Sequence, residues 1–314
     1  MIAVRPVVPG PDYQGSRAMF PRQEGYVERE GVRTFYEVYG DGTTTILLLP
    51  TWSIVHSRVW RNQISYLARH FRVVVFDGRG NGRSDRPVEP AAYLPHEFVL
   101  DALAVLDATG TDRAIVVSLS WATAWSVMLA LHSPERVQAV SFMGPTLYAV
   151  SEPFPEWSKQ PFHEELESYD GFQGQNRYFI RDHYHDFCDF WVRVCLSEPH
   201  SSRGIEYGVG MCLETTPEVV LATLDAAEIS EYESSAESLA AAGRLLRPIV
   251  RQLRLPVQVI VGELEQVALP HWGRALADDT GGEFELIPRA AHFPGRKAVP
   301  FNLALRSFAE RVGG

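Results

Sequence analysis

Lysine is almost missing from this chain. Of 314 residues only Lys159 and Lys297 carry an ammonium group, and arginine supplies the rest of the 29 Lys and Arg side chains. That bias is what coding in a GC-rich bacterium produces, and it implies no chemistry. Cysteine is scarce too. Cys188, Cys195 and Cys212 are odd in number and lack C-x-x-C spacing, which excludes a disulfide framework and a zinc site and predicts reduced, partly buried thiols. Positive charge is outweighed, with 39 Asp and Glu giving a net charge of −10 and no run of one sign. Nucleic acid and anionic membrane surfaces are therefore not expected partners, and a neutral or cationic ligand is easier to accommodate than a polyanion. No apolar run approaches bilayer length, and the opening MIAVRPVVPGPDYQGSRAMF has prolines and glycines where a secretory leader needs an unbroken apolar stretch. A cytoplasmic protein is expected. Internal repeats and low-complexity tracts are absent. Pro6, Pro9, Pro11 and Pro21 interrupt every candidate helix before about Gly25, so residues 1–24 read as an extended arm.

What is present centres on Ala114 to Met128, AIVVSLSWATAWSVM. Ala114 to Val117 reads as a buried strand and Ala122 to His132 as a helix, with Ser120 at the corner between them. A strand running straight into a helix through such a serine is a nucleophile elbow, usually G-x-S-x-G because strand and helix nearly touch two residues either side. Here those positions hold Ser118 and Ala122, the smallest side chains after glycine. Around the elbow, Gly25 to Tyr39 alternates about Glu30-Gly31 as a hairpin. Thr45 to Leu49, Arg72 to Phe76 and Val137 to Phe142 read as strands, and Trp60 to His70 and Phe98 to Thr109 as helices. Alternation of this kind implies a mostly parallel sheet flanked by helices, an α/β fold. It stops over residues 144–253, which are helical in pattern, acidic and rich in aromatics, and resumes with Pro256 to Val261, Trp272 to Leu276, Phe284 to Ile287 and Phe301 to Arg311. The organisation read from this is a core of residues 25–143 and 254–314 with an all-helical lid inserted at 144–253. Gly78, Gly80 and Gly82 could suggest a nucleotide cradle, but the spacing is not G-x-G-x-x-G and no helix opens directly after them.

The sequence resembles the α/β-hydrolase superfamily from Gly25 onward. The motifs that carry the resemblance are the loop Leu49-Pro50-Thr51-Trp52, the D-x-R-G-x-G-x-S run from Asp77 to Ser84, the elbow, His132 to Val137, and Ala291-His292-Phe293-Pro294. The resemblance implies a serine-nucleophile enzyme with a triad in the order serine, acid, histidine. A serine hydroxyl needs a base to take its proton and an acid to hold that base in one tautomer. Ser120 and His292 fit the first two roles. The acid is expected after the strand Pro256 to Val261, at Glu265, with Glu263 as the alternative. The oxyanion of a tetrahedral intermediate needs two backbone N–H donors, expected from Trp121 and Thr51, although Thr51 is β-branched where many members have glycine. Trp52 and Trp121 would narrow the oxyanion hole.

Trp52, His56, Phe187 and Trp191 are candidate pocket residues. For His56 the preferred reading is a residue that caps or packs the start of the next helix, and Trp60 and Trp125 read as core. Phe187, Phe190 and Trp191 share a helical face adjoined by Tyr184 and Cys188, wide enough to line a pocket or to pack lid helix on lid helix. His183 and His185 diverge on a helix, so no metal is expected there, and no cofactor is implied. The expected activity is hydrolysis of a carboxylic ester, lactone or thioester of a medium-sized, mainly apolar small molecule. Acyl transfer or cyclisation by the same triad, and a non-catalytic ligand-binding protein, are the alternatives. Haloalkane dehalogenase and the usual epoxide hydrolase chemistry need a carboxylate where Ser120 stands. A small-molecule substrate is the expected partner, and a homodimer is left open.

Overall fold

The computed structural model describes residues 19–146, 148, 151–229 and 236–313, without the side chains of 227–242. Most of the expected arm, 1–18, lies outside the described residues. Eight strands form one sheet: β1 (Gln23–Arg29), β2 (Val32–Tyr39), β3 (Thr45–Leu48), β4 (Arg72–Phe76), β5 (Ala114–Leu119), β6 (Val137–Met143), β7 (Val257–Gly262) and β8 (Glu283–Ile287). Their order is β1-β2-β4-β3-β5-β6-β7-β8. β1 and β2 pair antiparallel through the Glu30-Gly31 turn, where both residues have positive φ, 52° and 79°, the twist a two-residue hairpin requires. From β4 to β8 every pairing is parallel. The first strand thus begins at Gln23, inside the expected arm.

Helices α1 (Arg61–Leu67), α2 (Pro95–Ala108) and α3 (Ala122–His132) follow β3, β4 and β5. α2 begins three residues before the expected Phe98 because Pro95 suits the first helical turn, where no N–H is needed. β5 lies between β3 and β6 and is buried on both faces, which is why it reads as an unbroken apolar run. The side of the sheet with α2 and α3 holds Phe98, Trp125 and Leu129, and the other side holds Trp60, Ile64 and Phe301.

Between β6 and β7 the described residues form α4 (Arg177–Asp182), α5 (Tyr184–Cys195), α6 (Ser202–Cys212), α7 (Pro217–Ile229) and α8 (Ala236–Val250). After β7 come α9 (Pro270–Thr280) and, beyond β8, α10 (Ala298–Gly313). A third apolar cluster joins the inserted helices to the loop after β3, through Trp52, Ile54, Phe187, Trp191 and Val220. No helix among the described residues is long and apolar enough to cross a membrane.

Candidate active site

Because β3, β5, β6, β7 and β8 run parallel, their following loops open at one edge of the sheet, where open α/β sheets hold ligands. Ser120 sits on the turn after β5 with φ of 57°, a left-handed conformation that non-glycine residues rarely adopt. Its N–H donates to Met143 O at the end of β6, and its carbonyl accepts from Thr123 N–H and the Thr123 hydroxyl. These bonds hold the turn and leave the Ser120 hydroxyl without a partner among the described residues. The Ser118 hydroxyl, where glycine is usual, takes a bond from Ser126 Oγ at 3.1 Å, so a polar side chain is accommodated in a fully buried position.

His292 follows β8 and is buried, with Nδ1 2.8 Å from Glu265 Oε2. The second Glu265 oxygen accepts from Val267 N–H at 2.7 Å. A carboxylate fixed at both oxygens holds the proton of His292 on Nδ1 and leaves Nε2 as the unprotonated nitrogen. Glu263 is exposed and accepts instead from Arg289 N–H at 2.9 Å, so of the two acids Glu265 meets the histidine. The backbone of His292 donates to Cys195 O at 3.2 Å, tying this loop to the end of α5. Gly144 completes the floor. It has φ of 51°, and a Cβ there would stand 3.0 Å from His292 O and 3.3 Å from Glu265 Oε2. The sequence reading passed over Gly144, whose signal was its place directly after β6.

Ser120 and His292 line one cavity of about 570 Å³, together with Thr51, Trp52, Trp121 and Trp191. Trp52 and Trp121 stack at 5.2 Å between centroids with a 12° interplanar angle, the expected pair of indoles beside the serine. Trp52 Nε1 donates to Thr223 Oγ1 at 2.8 Å, which fixes the pair to α7. The N–H groups of Thr51 and Trp121 have no acceptor among the described residues. Trp157, Thr146 and Gln175 also line the cavity, and Trp157 Nε1, Trp191 Nε1 and Gln175 Oε1 are buried polar atoms without a hydrogen-bond partner. Trp157 lies on a one-turn 3-10 helix, Glu156–Lys159, too short to give a periodic signal.

Two expected pocket residues lie elsewhere. His56 is outside this cavity and accepts from Arg58 N–H at 3.4 Å, capping the turn Ser57–Trp60, because the chain has already left the sheet edge there. Phe187 is fully buried behind the wall, edge-on to Trp52 at 6.2 Å, so the α5 stripe both lines the cavity, through Trp191, and packs the core of the inserted helices, through Phe187. Trp60 is core, donating to Leu49 O at 3.0 Å, whereas Trp125 stacks on Phe98 at 3.8 Å and also reaches the cavity. Near His183, Asp189 pairs with Arg193 at 2.6 Å and His185 is exposed. Among the described residues no three His, Cys, Asp or Glu side chains gather to hold an ion.

The glycine-rich loop after β4 is occupied internally. Arg79 is buried in a bidentate pair with Asp101, both bonds 2.7 Å, and Asp77 accepts from Ser57 N–H at 3.0 Å and Arg83 N–H at 2.8 Å. Asn81 Nδ2 donates to Ser53 O and Met211 O, which joins the loop beside Thr51 to α6.

Residues 44–295 match the family described as the alpha/beta hydrolase fold. Epoxide hydrolase 2 of Siraitia grosvenorii is 28% identical over 115 residues, 36% of each chain. Epoxide hydrolase B of Mycobacterium tuberculosis is 33% identical over 132 residues, 40% of this chain and 35% of that protein. The chain spans less than half the length of these curated relatives. Among solved structures, an N-acyl homoserine lactone degrading enzyme is 25% identical with a TM-score of 0.70, covering 90% of this chain and 100% of its own. The enol-lactonase of Burkholderia xenovorans shares the fold at 21% identity and a TM-score of 0.71, covering 91% and 100%. Matched over most of its length and folded as these proteins are, the chain belongs to the alpha/beta hydrolase fold family.

Proposed function

We propose that this protein is a serine hydrolase that cleaves a carboxylic ester, lactone or thioester of a medium-sized, mainly apolar small molecule through an acyl-enzyme on Ser120. The observation that carries the reading is the strained Ser120 turn opening into the same cavity as His292, whose far nitrogen is held by buried Glu265. Ser120 Oγ attacks the substrate carbonyl while His292 Nε2 takes its proton, and Glu265 stabilises the imidazolium that results. The oxyanion is met by the free N–H groups of Trp121 and Thr51. Collapse breaks the bond to the alcohol or thiol, which leaves with the proton from His292. Water, deprotonated by the same nitrogen, then releases the acid and restores Ser120. The Ser120–His292 hydrogen bond forms as substrate closes the site. The inserted helices act as the lid and, with the core at 25–143 and 254–314, give the two-part organisation.

The carboxylate nucleophile that dehalogenase and the usual epoxide hydrolase chemistry require has no counterpart at Ser120. Acyl transfer to a second molecule is the reading favoured if the stacked Trp52 and Trp121 exclude water from the acyl-enzyme. Product analysis in isotopically labelled water, with and without added alcohol, separates the two. Hydrolysis yields acid with one labelled oxygen whether or not alcohol is present, and transfer yields a new ester. Absence of both products across ester, lactone and thioester panels would contradict the proposal.

A further inference from the structure

The helix that follows Ser120 has no polar face. Its sequence, ATAWSVMLALH, is apolar all round, and its few hydroxyls are spent on local bonds: Thr123 Oγ1 to Ser120 O, and Ser126 Oγ to Thr123 O and Ser118 Oγ. A helix of this kind needs cover on every side. One side of α3 rests on the sheet. On the other, Ala124, Trp125, Met128 and Leu131 recur at the spacing of a single stripe and line the cavity that begins at Ser120, while Met128 and Leu131 stay half-buried. The opposite wall comes from Leu246 and Ile249 of α8, and the branch reaches exposed His132. From Ala124 to Leu131, at about 1.5 Å per residue, the stripe is about 11 Å long, more than a short acyl group fills. The cavity is also lined by Arg61 and Tyr207, whose guanidinium and ring meet at 3.9 Å.

We infer that the substrate carries a long unbranched apolar chain, seated along α3 against α8, with its reacting carbonyl at Ser120 and its shorter, more polar arm toward Arg61 and Tyr207. This rests on the serine-hydrolase reading and adds the substrate class. The open end at His132 sets no sharp upper limit on length, so selectivity should rise with chain length and then level off. Each buried methylene is worth at most about fourfold in kcat/KM.

Two series of 4-nitrophenyl and alkyl esters, one lengthened on the acyl side and one on the alcohol side, test the inference on the wild type and on Met128→Trp and Ile249→Trp. In one series kcat/KM should rise at least about tenfold from butyl to octyl length, a modest share of the ceiling that methylene burial sets. That gain should collapse in at least one variant whose melting midpoint matches the wild type. Ile249 is partly exposed, so tryptophan there can be carried without disturbing the core. Turnover of esters with no gain in either series, or a gain that survives in both variants, would overturn the long-chain site while leaving the serine chemistry intact. No turnover of any ester, with no labelling of Ser120 by a fluorophosphonate, would overturn the underlying reading and the inference together.

Discussion

Ser120 is held in a left-handed backbone that costs of order 1–3 kcal/mol for a non-glycine residue, and on the proposed reading that cost places its hydroxyl in the cavity. Ser120→Ala and His292→Ala should each lower kcat by roughly 10⁴–10⁶-fold, because nucleophile and base act as a unit, and Ser120→Ala should still bind substrate. Near-wild-type turnover in either variant, measured on an ester the protein cleaves, would remove that residue from the mechanism. Glu265→Gln should cost less than loss of the nucleophile, about 10²–10⁴-fold, since the acid orients the imidazole without entering the bond changes. Glu263→Gln should be nearly silent. A reversed ranking would assign the acid to Glu263. That Ser120, His292 and Glu265 come to one edge of the sheet was legible in the chain because each lies in the loop that follows a parallel strand. Thr51 was legible for the same reason. His56 was legible as a cap from its place just before a helix, although its ring could not be kept out of the pocket from local sequence alone.

At the scale of elements, strands and helices were readable where both faces of the sheet are covered, as with β5, and uncertain where a single residue sets the start, as with Pro95 on α2. Helical spacing on α5 identified its apolar face but not what covers it, which is why Phe187 and Trp191 could not be separated from sequence. The structure separates them, and the two substitutions should behave differently. Phe187→Ala should cost about 3–5 kcal/mol of stability, as truncation of a fully buried ring does, with little change in substrate ranking. Trp191→Ala should reorder esters by size. Denaturant unfolding and a substrate panel distinguish them, and an unchanged ranking in Trp191→Ala would place the pocket wall elsewhere. Gly144→Ala tests the floor of the site. Its methyl would press on His292 and Glu265 in a left-handed backbone, so kcat should fall while KM changes little.

The molecule as a whole joins its sheet to its inserted helices through the loop after β4, and this predicts its response to acid. Asp77 is buried, which alone would raise its pKa, but the His56 ring and the donors of Arg83 and Ser57 hold it below the usual carboxylate value. A carboxyl depressed in the folded state contributes stability in full above the unfolded pKa, near ~4, and loses it as pH falls through the folded value. Asp77→Asn should therefore melt well below the wild type at neutral pH, with the gap narrowing in acid. A gap that is constant with pH would mean the charge is not what matters. The fold itself was legible from the alternation of strands and helices, whereas the cavity was not, because its walls come from segments far apart in sequence, the loop after β3, α3, α5 and α8. The account rests most directly on the nucleophile, and intact-mass analysis after exposure to a fluorophosphonate reads it in one step. It predicts a single adduct on the wild-type protein that disappears in Ser120→Ala; no adduct on the wild type, or an adduct that persists in Ser120→Ala, would contradict it.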